Sequence, residues 1–235
     1  MCGRYQLYAS KEELEKEYRA NAEKMGELDP SYNVAPRQQQ PAALVGEGHQ
    51  RLLYKLRWGL VPHFYDDPDD GPRPINARSE TVDEKPMFRR LFETRRCLVP
   101  TNGFYEWDKQ QGTSQPYRIH FRDREIMTMA GIYDVWENEE GKKLPTFTIL
   151  TTSPNEKVEK LHSRMPVILH PDRYDDWLNP DYGDYVELKR WCVEPYPADE
   201  LEIYPVAKKV GNVRNDSPEL IERRDDAIRD QQQLF

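Results

Sequence analysis

An α+β fold, with helices at both ends of a mostly antiparallel sheet, is predicted by three features of this sequence. Between Cys97 and Thr152, apolar alternating segments follow one another with only turn-forming clusters between them, the pattern of antiparallel strands. A capping-box helix start stands before them at Ser10, and two further helix starts follow them at Ser153 and Pro171, so helices and strands are segregated rather than alternating. No internal repeat and no Gly/Ser linker interrupts the chain, which predicts one domain over residues 1–220 and a polar C-terminal tail over 221–235.

Taken in order, Tyr5–Tyr8 reads as a short strand. In Ser10-Lys11-Glu12-Glu13 the serine can accept an N–H three residues on while Glu13 reaches back, and Leu14 and Tyr18 continue at helical spacing, predicting a helix to about residue 25. Leu52–Trp58 reads as a strand and the proline-dense 62–74 as a long loop. Thr81–Phe92 is expected to be helical in two pieces, because Pro86 has no N–H for a helix interior but suits a new first turn. Strands are then expected at Cys97–Val99, Phe104–Trp107, Tyr117–Phe121, Ile126–Trp136 and Thr146–Thr152, with turns at 110–114 and 138–143. Ser153–Glu156 opens a short helix, Pro171–Leu178 forms another, and Leu201–Val206 returns as a strand.

Composition narrows the function. In 235 residues, 37% apolar and 11% aromatic side chains supply a real core, which excludes global disorder. No apolar run has the length of a membrane span, and MCGRYQLYAS has neither a basic flank nor an apolar h-region, so a soluble cytoplasmic chain with no membrane partner is expected. The three cysteines, Cys2, Cys97 and Cys192, are far apart with no C-x-x-C, and His49, His63, His120 and His170 share no ligand spacing; neither a disulfide framework nor a metal or other cofactor is expected. Cys97 and Cys192 sit among apolar neighbours and read as buried, inert thiols. A net charge of −8 speaks against a protein that wraps polyanions. The charge is uneven, however: residues 72–97 hold seven Lys/Arg against four acids, leaving room for a small basic cleft.

Four segments carry chemistry. A small side chain at Cys2 lets an aminopeptidase remove Met1 and expose a residue bearing both a free α-amine and a thiol. Such an amine, with a pKa of about 7.7–8.0, is roughly a seventh neutral at pH 7, roughly 300-fold more than a lysine. It attacks aldehydes, and the adjacent thiol can close on the imine to give a thiazolidine. The plainer alternative is a small residue at a frayed terminus. Ile75-Asn76-Ala77-Arg78-Ser79-Glu80-Thr81 leads toward a helix start, where an amide and a guanidinium suit an anion. In Gly103-Phe104-Tyr105-Glu106-Trp107, strand alternation puts Glu106 on the face of Phe104, where desolvation would raise its pKa for acid/base work; a solvated strand glutamate is the alternative. Leu161-His162-Ser163-Arg164-Met165-Pro166 places a histidine two residues before an arginine, either a proton carrier or a structural histidine.

Together with Tyr32-Asn33-Val34-Ala35-Pro36, Trp58-Gly59-Leu60-Val61-Pro62 and Gly211-Asn212-Val213-Arg214-Asn215, these runs make the chain over residues 2–220 resemble the SOS response-associated peptidase (SRAP) family, the abasic-site processing proteins. The resemblance implies a single α+β SRAP domain with a bifurcated, barrel-like β-core surrounded by helices. It also implies capture of abasic sites in single-stranded DNA, as part of a DNA-damage (SOS) response, through a thiazolidine crosslink to Cys2. The matching residues are Cys2 as nucleophile, Asn76 and Glu106 around the linkage, and His162 as proton shuttle. Arg4, Arg78 and Arg164 stand where the family grips phosphates, and Pro36, Phe64, Tyr65 and Thr151 complete the implied DNA-binding set. A monomer, nucleoid-associated when bound to DNA, is expected.

Two features depart from the family. After Pro62 it often has tryptophan, whereas His63-Phe64-Tyr65 stand here, followed by an acidic 66–70 insert that should repel DNA unless it points away. Only Met1 precedes Cys2, so an aminopeptidase suffices where the family's peptidase assignment rests on self-removal. Two other functions compete: an N-terminal-nucleophile cysteine peptidase or amidohydrolase with Cys2 thiolate as nucleophile, and a non-catalytic single-strand binder. A lyase reaction through the Schiff base is a further chemical option.

Overall fold

The computed structural model describes residues 2–108 and 114–224. β1 (Tyr5–Leu7) runs into α1 (Lys11–Tyr18), where Ser10 Oγ accepts the Glu13 N–H at 3.2 Å and Glu13 Oε2 accepts the Ser10 N–H at 2.7 Å. The helix stops short of residue 25. Arg19 turns left-handed (φ 48°), and the next residues leave for the sheet, Asn21 bonding to Arg51 and Leu53 through backbone at 2.9 Å. β2 (Ser31–Val34), β3 (Gln39–Val45), β4 (Arg51–Trp58) and β5 (Asn76–Arg78) follow. The expected two-piece helix is a 3₁₀ turn at Ser79–Thr81 and α2 (Pro86–Thr94), which opens on Pro86.

The five strands expected from Cys97 onward are present: β6 (Arg96–Thr101), β7 (Gly103–Asp108), β8 (Gln115–Phe121), β9 (Met127–Glu137) and β10 (Lys143–Thr152). The expected turn at 110–114 falls, apart from Ser114, outside the described residues, as do Met1 and the tail beyond residue 224. After β10 the short helix expected to open at Ser153–Glu156 is only a 3₁₀ turn, Val158–Lys160, and ahead of it Asn155 Oδ1 accepts the Val158 N–H at 3.0 Å. β11 (Met165–Pro166), α3 (Tyr174–Leu178, preceded by a 3₁₀ turn at Pro171–Arg173), α4 (Tyr185–Val193) and β12 (Leu201–Pro205) complete the chain.

The strands form two sheets. In one, β10 pairs with β4, β4 with β3, β3 with β6, β6 with β9, and β9 returns to β10, so the five strands close on themselves, with β5 and β11 flanking the end of β10. The other is open, in the order β12-β8-β7-β1-β2. β6 and β7 are nearly one strand shared between both sheets, and Gly103 is the fork: its φ is 140°, and a Cβ there would meet the Ile119 carbonyl at 2.6 Å. The result is an α+β domain with a bifurcated, barrel-like β-core. Trp58, Phe92, Phe104 and Phe147 are fully buried in it, as are Cys97 and Cys192. Among the described residues no helix is long and apolar enough to cross a membrane.

Candidate active site

The site lies where the two sheets meet the start of the chain. β1 is held on both sides, Tyr5 opposite Phe104 of β7 and Val34 of β2, which carries the preceding residues alongside Glu106. Cys2 is fully buried and Glu106 is 3% exposed. Asn76 Nδ2 donates to the Cys2 carbonyl at 2.9 Å. In place of the expected helix start, Asn76 and Arg78 form β5, a strand paired in parallel with β10, and only one 3₁₀ turn follows Arg78. Burial, and then the neighbouring Glu106 charge, push the Cys2 thiol well above its ordinary range.

Trp58 explains why its motif accompanies Cys2. Its ring lies 5.2 Å from that of Tyr5 and 6.4 Å from Phe147, while its Nε1 donates to the Ile75 carbonyl at 2.9 Å, fixing the approach to Asn76. Register then links the rest: Arg78 stands opposite Thr151, and Thr151 opposite Pro166. Arg164 donates to the Thr151 carbonyl and to both Glu80 oxygens. His162 Nδ1 accepts the Arg164 backbone N–H at 3.0 Å, so in the neutral ring the proton sits on Nε2. Asn76, Arg78, Thr151, Arg164 and His162 thus form one continuous edge.

The three expected phosphate-gripping arginines differ in engagement. Arg78 is exposed. Arg164 is locked by Glu80, whose carboxyl it holds below the usual range by hydrogen bonding. Arg4 donates to Asn33 Oδ1 at 2.8 Å and to the Val210 carbonyl at 2.9 Å, with its guanidinium 6.0 Å from the Trp107 ring. Asn33 in turn donates to the carbonyls of Val210, Asn212 and Asn215. The Tyr32–Pro36 and Gly211–Asn215 motifs are therefore two halves of one clamp.

Phe64 is 58% exposed on the 62–74 loop, whose base is pinned by the Leu60 N–H to the Pro74 carbonyl at 3.0 Å. Buried Asp134 accepts from the His63 backbone N–H at 2.9 Å, from His63 Nδ1 at 2.8 Å and from Arg95, and Trp136 Nε1 donates to the Tyr65 carbonyl at 2.8 Å. In the acidic insert, Asp69 pairs with Arg73. Pro36 follows β2 at the end where β1 begins. Glu80, Asn33 and Asp134 are outside the site set expected from sequence, although Asn33 and Glu80 stand inside the Tyr32–Pro36 and Ile75–Thr81 runs; the role of each depends on a partner distant in the chain. Among the described residues no group of three or more His, Cys, Asp or Glu could hold a metal ion.

A closed five-stranded barrel forked from an open sheet, with the Cys2 carbonyl bonded to Asn76 and its thiol within reach of the charge of buried Glu106, defines the class of domain. The family model for the SOS response associated peptidase (SRAP) matches residues 1–213. The chain is 41% identical over 226 residues to the abasic site processing protein YoqW of Bacillus subtilis (strain 168), covering 94% of this chain and 99% of that one. It is 32% identical over 220 residues to the abasic site processing protein HMCES of Xenopus tropicalis, covering 81% of this chain and 65% of that one. A crystal structure of a protein from Bacteroides thetaiotaomicron superposes with a TM-score of 0.85 at 27% identity, covering 95% of this chain and 100% of that one. The chain belongs to the SRAP family.

Proposed function

We propose that this protein processes abasic sites in single-stranded DNA by covalent capture through Cys2, after removal of Met1. The observation that carries the reading is the seating of Cys2, its carbonyl held by Asn76 and its thiol beside the Glu106 charge. The ring-opened abasic deoxyribose is an aldehyde. The Cys2 α-amine adds to its carbonyl carbon and water leaves, giving an imine; the thiol then adds across the C=N bond, its proton passing to nitrogen, to close a thiazolidine. One water is lost in total and nothing is oxidised. Asn76 holds the cysteine in place, Glu106 takes a proton from the amine and returns one to the departing hydroxyl, and His162 Nε2 moves protons at the sugar. Arg78, with Arg4 and Arg164 behind it, faces the phosphates; Phe64, Tyr65, Pro36 and Thr151 line the strand.

The upward push on the Cys2 thiol supports amine-first chemistry over a cysteine peptidase or amidohydrolase, which needs a thiolate. The buried Cys2 and Glu106 pair favours capture over simple strand binding. We place the protein in the cytoplasm as a monomer, on the nucleoid when DNA-bound, within a DNA-damage response; peptidase and lyase steps are secondary to capture. Incubation with an abasic single-stranded oligonucleotide should give a denaturant-resistant shifted band, absent with the intact oligonucleotide. No such band after Met1 removal would overturn the reading.

A further inference from the structure

We propose that Arg37, Arg57 and Arg73 form a second anion seat beside the Cys2 site, which holds a phosphodiester of the same DNA strand away from the captured nucleotide. The assignment rests on the single-strand reading above and extends it to residues outside the SRAP motifs.

Three pieces of chain meet at one corner. Arg37, in the turn between β2 and β3, donates its backbone N–H to the Trp58 carbonyl at 2.8 Å and takes a left-handed φ of 75°, uncommon for a residue with a Cβ. Arg57 immediately precedes Trp58, paired with Gln39 on one side and Thr146 on the other. Arg73 closes the 62–74 loop, its carbonyl 3.7 Å from where a Gly59 Cβ would stand.

Arg57 Nη2 is buried and has no hydrogen-bond partner among the described residues. Burial works against its charge, the Arg73 and Arg37 charges add to that, and Asp69 alone opposes them. Two guanidinium groups and one carboxylate are the charges that act on Arg57 here, and a buried cationic N–H is costly until an anion meets it. Asp69, bonded to Arg73, is 77% exposed in its side chain and so is readily displaced.

The place suits a strand. Arg37 follows Pro36, and Arg73 is three residues before Asn76, within about 10 Å of chain. A phosphate in this seat therefore neighbours the captured sugar without being part of its linkage. A free phosphate would meet the same N–H groups, and the experiment separates the two sources.

The test measures equilibrium binding of an intact oligothymidylate against salt concentration for wild type, Arg57→Gln and Asp69→Asn, with melting temperatures, and repeats it with inorganic phosphate as competitor. Each lost phosphate contact should flatten the log–log salt slope by about 0.7. Arg57→Gln should show that loss while melting at the same or a higher temperature, and Asp69→Asn should bind more tightly with a steeper slope. Weakened binding accompanied by a matching fall in melting temperature would assign Arg57 a structural role and overturn the seat. Unchanged slopes in both variants would overturn it too. Inhibition by millimolar inorganic phosphate in wild type but not in Arg57→Gln, with oligonucleotide slopes equal, would place a free anion there instead of the strand. Capture of an abasic oligonucleotide, scored on the same proteins, keeps the two readings apart. Normal capture with unchanged slopes sinks the seat alone, and failed capture with Arg57-dependent slopes sinks the capture reading alone.

Discussion

Arg164 reaches from the segment before β11 to grip Glu80, donating to Oε1 at 2.5 Å and to Oε2 at 2.9 Å, so a cation expected to meet DNA is already neutralised within the protein. The pairing is bidentate, the geometry in which guanidinium and carboxylate bind best. It rigidifies the edge that carries Arg78 and His162, and it sets the two arginines apart.

Arg78→Ala should therefore flatten the salt dependence of single-strand binding by about 0.7 in log–log slope, whereas Arg164→Ala should flatten it less. Glu80→Gln should steepen it by freeing Arg164. Fluorescence anisotropy across a salt series reads all three; equal effects of the two arginine changes would contradict the pairing. The same contact has a pH signature. Glu80 is held below its ordinary range chiefly by the Arg164 hydrogen bonds, so its stabilisation is complete above the usual glutamate pKa and is lost as pH falls through the lower folded value. Glu80→Gln should remove that part of the acid dependence in melting curves.

Cys2→Ala leaves the amine but not the thiol, so capture should stop at an imine that borohydride traps and heat hydrolyses. Intact mass should show wild type beginning at Cys2. A heat-stable adduct from Cys2→Ala would refute ring closure.

Glu106→Gln and His162→Ala should slow capture and reversal while a long incubation still reaches high yield, because a placed acid/base contributes about 10²–10⁴-fold and ring closure needs only the thiol. Time courses from about pH 5.5 to 8.5, bracketing the histidine range, with exchange onto a second labelled abasic strand, distinguish them. His162→Ala should act most strongly on reversal. Wild-type rates at every pH would assign both residues to structure.

Asp134→Ala should cost about 2–3 kcal/mol, since hydrogen bonds to a charged group are worth about 1.5–3 kcal/mol and His63 and Arg95 both lose their partner. Binding should weaken as well, because the loop presenting Phe64 loses one of its anchors, the two bonds from His63 to Asp134. Melting temperature and anisotropy test this together; unchanged binding in a destabilised Asp134→Ala would detach Phe64 from the strand.

Gly103→Ala should be among the most damaging single changes, for it adds a Cβ at φ 140° within 2.6 Å of the Ile119 carbonyl and 2.8 Å of Gln6 Oε1. A variant that melts like wild type would show that the fork between the sheets can shift.

Local physics made much of this protein readable from its residues. The capping box at Ser10, the alternation from Cys97 to Thr152 and the proline at the start of α2 act through neighbours a few positions away, and each produced the element expected of it. The pairing of Phe104 with Glu106 on one face is equally local, and both are buried. Tertiary contact decided the rest. α1 ends at Tyr18 because backbone at Asn21 bonds to the Arg51 and Leu53 strand, a competition invisible within the helix itself. Asn76 and Arg78 became a strand because β10 lay alongside, and Arg164 became a clamp because Glu80 did, partners 84 residues apart. The order of strands around the barrel, and the convergence of Arg37, Arg57 and Arg73 on one corner, depend on which segments meet in space. Hydrogen bonds and charges act over a few ångströms whatever the distance along the chain, so only the folded structure tells which groups they join.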